Sequence, residues 1–220
     1  MGSMMCSCRA TTLAAVGVLV LLLTTNAARA QASYEVRIEG LEDAAIVEQL
    51  RNASNAVAEV DDPPRSRRLL QRRLEDDTQN LIDAFESLGY YGADVKARVD
   101  GEAPPYAAVF ACASGPQYTI GGVRVAGIDA SGQRLDLGSP EVTGLEAGMP
   151  ARAEPILAAT NKILAWLRQN GYPFPEMGAQ EILVDHNTDE LTIDYTVNPG
   201  AKMQIGELRI EGLTQVKPIV

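Results

Sequence analysis

A thirteen-residue pattern occurs twice in this chain, and its recurrence limits the fold more than any other feature. Residues 115–127 read GPQYTIGGVRVAG and residues 200–212 read GAKMQIGELRIEG, 85 positions apart. Aligned, Gly115 falls on Gly200, Ile120 on Ile205, Gly121 on Gly206, Val123 on Leu208, Val125 on Ile210 and Gly127 on Gly212. A weaker copy, YEVRIEG, spans residues 34–40 and places Val36, Ile38 and Gly40 on the same offsets. Apolar residues alternate with Arg37, Arg124 and Arg209, so each copy reads as a short strand with one buried face. The closing glycine permits a turn at positive φ. A repeat of this length is a small domain in its own right rather than a solenoid turn. The chain of 220 residues, 46% apolar, has material for two such cores.

The pattern between the copies gives each unit the order β-α-α-β-β. In the first, Asp43 caps a short helix carrying Ala44, Ile46, Val47 and Leu50. The run Asp61-Asp62-Pro63-Pro64 interrupts, and a long helix from about Arg65 presents Leu70, Leu74, Leu81, Phe85 and Leu88 as one apolar stripe. Gly89 closes it as a left-handed C-cap, with Tyr90-Tyr91 folding back over the end. Residues 93–99 and 108–112 then make an antiparallel pair joined by the turn 102–105.

In the second unit the segment 127–149 is glycine-rich and carries at most a brief helix near 140–144. The main helix begins near Pro155, shows Ile156, Ala159, Thr160, Ile163, Leu164 and Leu167 as its stripe, and ends at Asn170-Gly171. Residues 181–185 and 191–197 flank a polar turn to form the closing hairpin. The fold class is therefore α+β: tandem units, each a small three-stranded sheet covered by two helices. The expected division is 1–30 leader, 31–115 first unit, 116–200 second unit and 201–220 the start of a third. Only 8 residues follow Gly212, and a lone strand cannot bury its face, so the stretch reads as a fragment of a longer protein.

Residues 1–30 have the form of a cleaved export signal: Arg9, an apolar run over 13–23 and the A-x-A site Ala28-Arg29-Ala30, with Gln31 as the new terminus. Cys6 and Cys8 leave with it. Cys112 alone remains, on the apolar face of its strand with Ala108 and Phe110, which predicts a buried, unreactive thiol. Loss of Arg9 and Arg29 leaves 17 basic against 29 acidic residues, a net charge of about −12, which disfavours nucleic acid as a partner.

Catalytic chemistry is not legible. The one histidine, His186, lies in a polar turn, and His186 with Cys112 cannot make a soft metal site. Asp185, Asp189 and Glu190 read as a solvated hairpin tip rather than a cation loop. Gly121-Gly122 reads as a bend or bulge in a strand rather than a dinucleotide motif. Arg65, Arg67, Arg68, Arg72 and Arg73 form a basic cluster that Asp76 and Asp77 compensate at a spacing of four. Trp166 adjoins the apolar stripe and reads as core. No cofactor, metal or catalytic residue is expected.

The V-R-I-E-G strands at 36–40, 123–127 and 208–212, with Leu88-Gly89-Tyr90-Tyr91 and Asn170-Gly171-Tyr172-Pro173-Phe174 after the long helices, resemble the POTRA repeats of bacterial outer-membrane protein assembly factors, the BamA/TamA superfamily. The first repeat, opening VRIEGLEDAAIVEQL, is most similar to the TamA-like branch. BamA-like proteins and two-partner-secretion transporters share the repeat, whereas a division-type protein would carry one repeat behind an uncleaved anchor. A secreted enzyme is the alternative from another class, and would need a convergent polar site.

The resemblance implies a Gram-negative periplasmic arm that helps assemble autotransporters and other barrel proteins, a TamB-like inner-membrane partner, and a transmembrane β-barrel encoded beyond these residues. It transfers no catalytic residue. It also implies that the strand Ala93, Asp94, Val95, Lys96, Ala97, Arg98 and Val99 is a sheet edge to which an extended client can add by main-chain hydrogen bonds. Replacing Lys96 with proline is expected to remove one donor from that edge.

Overall fold

The computed structural model describes residues 31–204, 206 and 207. The expected leader, with Cys6 and Cys8, and the third V-R-I-E-G-like strand at 208–212 lie outside the described residues.

The chain is α+β, with two small mixed sheets, each backed by helices. The first unit runs β1 (Tyr34–Glu39), α1 (Ala44–Ala53), α2 (Asn55–Ala58), α3 (Arg67–Ser87), β2 (Asp94–Asp100) and β3 (Tyr106–Ala113). Its sheet order is β1-β3-β2, with β1 parallel and β2 antiparallel to the central β3. The second runs β4 (Thr119–Ile128), β5 (Arg134–Asp136), α4 (Pro140–Thr143), α5 (Ala153–Gln169), β6 (Glu176–Asp185) and β7 (Glu190–Asn198). Its order is β5-β4-β7-β6, with β4 parallel to β7, so β4-β7-β6 repeats β1-β3-β2. The fourth strand, β5, pairs with Ala126, Gly127 and Ile128 and has no counterpart in the first unit.

Local chemistry sets the helix boundaries. The Asp43 carboxylate accepts from Ala45 N at 2.8 Å, starting α1, and the Ser66 hydroxyl accepts from Leu69 N at 3.3 Å, starting α3. Gly89 and Gly171 both sit at φ +92°, where a non-glycine residue would be strained, and close α3 and α5. Each unit has its own core. Leu50, Leu70, Leu74, Leu81, Phe85 and Phe110 fill the first. Ile120, Ile156, Ile163, Leu167, Ile193 and Tyr195 fill the second, with Trp166 half-buried against it. Cys112 is a free thiol, 6% exposed in the first core, and burial pushes it up to about 11.

Two local readings change. Asp77 does not neutralise Arg73: it is 2% exposed and lies within the apolar stripe of α3. Its carboxylate accepts from Ser54 Oγ (2.6 Å), Asn55 N (2.9 Å), Ala56 N (3.0 Å) and Asn80 Nδ2 (2.8 Å), which anchors the start of α2. Arg73 turns instead to Glu59 (3.2 Å) and the Asp62 carbonyl (3.0 Å), while Arg72 and Asp76 form only an exposed pair at 3.9 Å. The motif glycines also differ. Gly40 has φ +90° and turns the chain, whereas Gly127 remains inside β4, which continues to Ile128 and on to β5. Both make room for the last strand of their unit: a Cβ on Gly40 would collide with Cys112 O, and one on Gly127 would lie 2.8 Å from Val197 Cγ1. The pair Gly121-Gly122 does lie at a bulge, where the β4–β7 register shifts between Ile120 and Gly122.

Candidate functional site

The residues expected to form an interaction edge are at a sheet edge. Asp94, Val95, Lys96, Ala97, Arg98 and Val99 lie in β2, which pairs only with β3, and Ala93 immediately precedes it. Which backbone groups face outward follows from the ladder. Tyr106 N donates to Ser33 O at 2.8 Å, so the even-numbered residues of β3 face β1 and the odd-numbered ones face β2. By the register Lys96↔Ala111 and Arg98↔Val109, the main-chain groups of Lys96 and Arg98 are spent on β3, and those of Val95, Ala97 and Val99 point away. Proline at 96 therefore breaks the β2–β3 ladder rather than altering the free edge. The position that removes an outward donor is 97.

That edge is partly closed. The Arg67 guanidinium donates to Val99 O, and Gln71 Nε2 donates to Ala97 O at 3.3 Å, so α3 occupies two of the outward carbonyls. Its charges are also matched. Lys96 pairs with Asp94 at 2.8 Å, and Arg98 pairs with Glu39 at 2.8 Å and Asp100 at 3.0 Å. Hydrogen bonds to those carboxylates raise the pKa of both cations.

The equivalent strand of the second unit is arranged differently. β6 spans 10 residues, and Thr119 N donating to Asp189 O at 3.0 Å sets the odd-numbered residues of β7 toward β4. The even-numbered ones face β6, so Glu181, Leu183 and Asp185 carry the ladder and Ile182 and Val184 turn their N–H and C=O groups outward. Among the described residues no side chain of α5 bonds to them. Ile182 is 41% and Leu183 57% exposed. The other flank of this sheet is covered: β5 pairs with the end of β4, and Ile120 N bonds Met149 O while Gly148 N bonds Ile120 O, both at 2.8 Å. The second sheet thus ends in the three-residue β5 on one flank and in the long edge strand β6 on the other. In the first sheet the short β1 forms the edge opposite β2.

Sequence reasoning placed 181–185 in a hairpin without marking it as the open edge. A signal was present. Aligned on Gly89 and Gly171, Gln71 falls on Ala153 and Arg67 on Met149, before α5 begins. The helix of 17 residues lacks the turn that lets the 21-residue α3 reach over its edge strand.

The remaining polar groups are occupied structurally. His186 Nδ1 lies 2.8 Å from the hydroxyl of buried Tyr118, whose pKa is raised by burial and then by Asp189. The Asp185 carboxylate accepts from Asn187 N at 2.8 Å, and that bond holds its pKa below the usual range. Among the described residues no group of three His, Cys, Asp or Glu side chains could hold a metal ion, and no helix is long and apolar enough to cross a membrane. The two junctions follow one rule: Tyr118 N donates to Gly89 O at 2.8 Å, and Met203 N donates to Gly171 O at 2.7 Å.

No protein-family model matches the chain, and no curated protein matches it. Solved structures similar to it include the third to fifth POTRA domains of BamA from Haemophilus influenzae (20% identity, TM-score 0.41, covering 86% of this chain and 73% of that one). The first two POTRA domains of Omp85 from Anabaena give 14% identity and a TM-score of 0.41 over 80% of this chain and 96% of that one. For the Anabaena structure with three POTRA domains the values are 14% and 0.41, and the match spans 59% of that chain.

Proposed function

We propose that this chain is the POTRA arm of an outer-membrane protein assembly factor of the BamA/TamA superfamily, TamA-like in its first repeat, with units at 31–115, 116–200 and from 201. It works in the periplasm, exported by the leader 1–30, and reaches the outer membrane through a barrel that is not among these residues. Its role is to hold unfolded barrel or autotransporter strands by adding them to its sheet edges, with a TamB-like inner-membrane protein as partner. The observation that carries the reading is the repeated order β1-β3-β2 and β4-β7-β6, which twice leaves the second strand of the unit at an edge. Main-chain pairing at such an edge makes little demand on client sequence, as a holder of many clients requires. The arm needs no catalytic group, and His186 is engaged by Tyr118 rather than by a nucleophile.

Both edges belong to the proposal. At 93–99 a client must displace Arg67 and Gln71 from the carbonyls of Val99 and Ala97, whereas β6 offers its main chain directly. Titrating the isotope-labelled chain with an extended peptide from an outer-membrane barrel tests this. Amide shifts are expected along 180–185 first and 95–99 second. Shifts confined to helix surfaces, or none at millimolar peptide, overturn it.

A further inference from the structure

The two edge strands occupy equivalent places but differ in charge, balanced on β2 and acidic on β6. On the outer face of β2, the cations Lys96 and Arg98 stand between the carboxylates of Asp94 and Asp100 and are closed on them and on Glu39. On the outer face of β6, the register Glu181↔Asp194, Leu183↔Thr192 and Asp185↔Glu190 lines up Glu181, Leu183 and Asp185 beside two further acids of β7. One cation answers them in the described residues, Arg124, which is bidentate to Asp194 at 2.7 and 3.2 Å. Like charges directly opposite one another cost stability, so Asp185 beside Glu190 is an arrangement the isolated sheet does not gain from. The hydrogen bond from Asn187 N keeps Asp185 ionised.

We infer that β6 selects its partner by charge: it takes an extended strand bearing lysine or arginine four positions apart, opposite Glu181 and Asp185, with an apolar residue midway between them against Leu183. The inference rests on the strand-addition reading above and adds the partner's chemistry to it. The geometry supplies each element of that pattern. Successive residues on one face of a strand repeat every second position, as Glu181, Leu183 and Asp185 do. A strand laid against the outward groups of Ile182 and Val184 brings its own outer-face side chains within cross-strand reach of those three. An acidic partner strand, or a second copy of β6, would set carboxylate against carboxylate.

The test uses the full chain and two labelled valine-rich nonapeptides with charges at positions 3 and 7 and a valine at position 5 between them on the same face. One carries lysine at those two positions and the other glutamate, and binding is read by fluorescence anisotropy. At low salt the lysine peptide is expected to bind at least tenfold more tightly, with the ratio collapsing toward one at about 1 M salt, where the screening length is about 3 Å. Ile182→Pro removes an outward donor while leaving the ladder, a tolerated change on an edge strand, and should weaken the lysine peptide at least tenfold relative to Ile182→Ala. Glu181→Lys with Asp185→Lys should invert the preference, while Glu48→Lys with Glu86→Lys, the same change in net charge on exposed helix positions, should leave it. Equal binding of both peptides, lost in Ile182→Pro, keeps strand addition and overturns the charge selection. A lysine preference that survives Ile182→Pro, or that both charge-reversal pairs reduce alike, reflects the overall acidity of the chain and overturns the inference. Absence of binding by either peptide at millimolar concentration overturns strand addition itself.

Discussion

The first unit partly closes its edge strand and the second, among the described residues, leaves it open, although both are built on the same strand order. The difference comes from one helical turn. α3 starts early enough for Arg67 and Gln71 to lie over β2, whereas α5 starts at Ala153 and, among the described residues, none of its side chains bonds to the carbonyls of β6. The second unit instead covers its other flank, where β5 and the segment 148–151 lie along β4. A repeat can therefore keep its fold while moving its accessible main chain from one flank to another, because an edge is defined by what covers it rather than by the strand itself.

The largest expected effect that separates the units is at Asp77. Replacing it with alanine strands the Ser54 hydroxyl and the amides of Asn55 and Ala56 in a buried site, at a cost of roughly 3 kcal/mol to the first unit. The chain carries its own reporters: Cys112 in the first core and Trp166, the sole tryptophan, against the second. In urea, exposure of Cys112 to a maleimide should move to lower denaturant while the Trp166 fluorescence transition stays. Coincident movement of both would mean that the two cores unfold as one.

Next in size is the contrast within β2. Lys96→Pro removes a ladder bond to β3 and should cost the first unit about 3 kcal/mol, whereas Ala97→Pro removes an outward donor and should cost less than about 1 kcal/mol. Comparable losses at both positions would place the ladder on the wrong alternate residues. The motif glycines give a smaller contrast. Gly40→Ala meets both a positive φ and the Cys112 carbonyl, for roughly 2 kcal/mol in the first unit. Gly127→Ala has no positive φ to strain and meets the buried Val197 at Cγ1 (2.8 Å) and at its carbonyl oxygen (3.0 Å), for about 1 kcal/mol in the second.

Alkaline pH should unfold the units in sequence. Burial raises the Cys112 thiol from 9.0 to about 11 and the Tyr195 phenol from 10.0 to about 12. Each group is held neutral in the folded state, so its contribution is complete below the ordinary value and is lost as pH rises through the folded one. The first unit should weaken from about pH 9 to 11 and the second from about pH 10 to 12. Cys112→Ala should remove the first window, read by urea midpoints at successive pH values. The smallest effect is also the most direct: Arg67→Ala with Gln71→Ala uncaps β2, and should raise peptide binding there several-fold without changing binding at β6.

Periodicity and local residue type were enough for the repeated β-α-α-β-β order, the stripe Leu70, Leu74, Leu81 and Phe85, the caps at Asp43, Gly89 and Gly171, and the burial of Cys112. These depend on neighbours three or four positions away, or on alternate positions of a single strand, and such spacings are written in the chain. Sheet order, and with it the direction each amide of β2 and β6 faces, depends on which strand lies alongside, and Asp77 looked like a surface charge because its partners stand 21 to 23 positions away. β5 escaped notice because three residues are too few to show a period, and they become a strand only through pairing with β4. The strand at 93–99 was legible as a strand from its alternation. That α3 covers its outward carbonyls, and that among the described residues no side chain covers those of β6, was decided by where two helices begin once they lie against their sheets, a distance that no local pattern records.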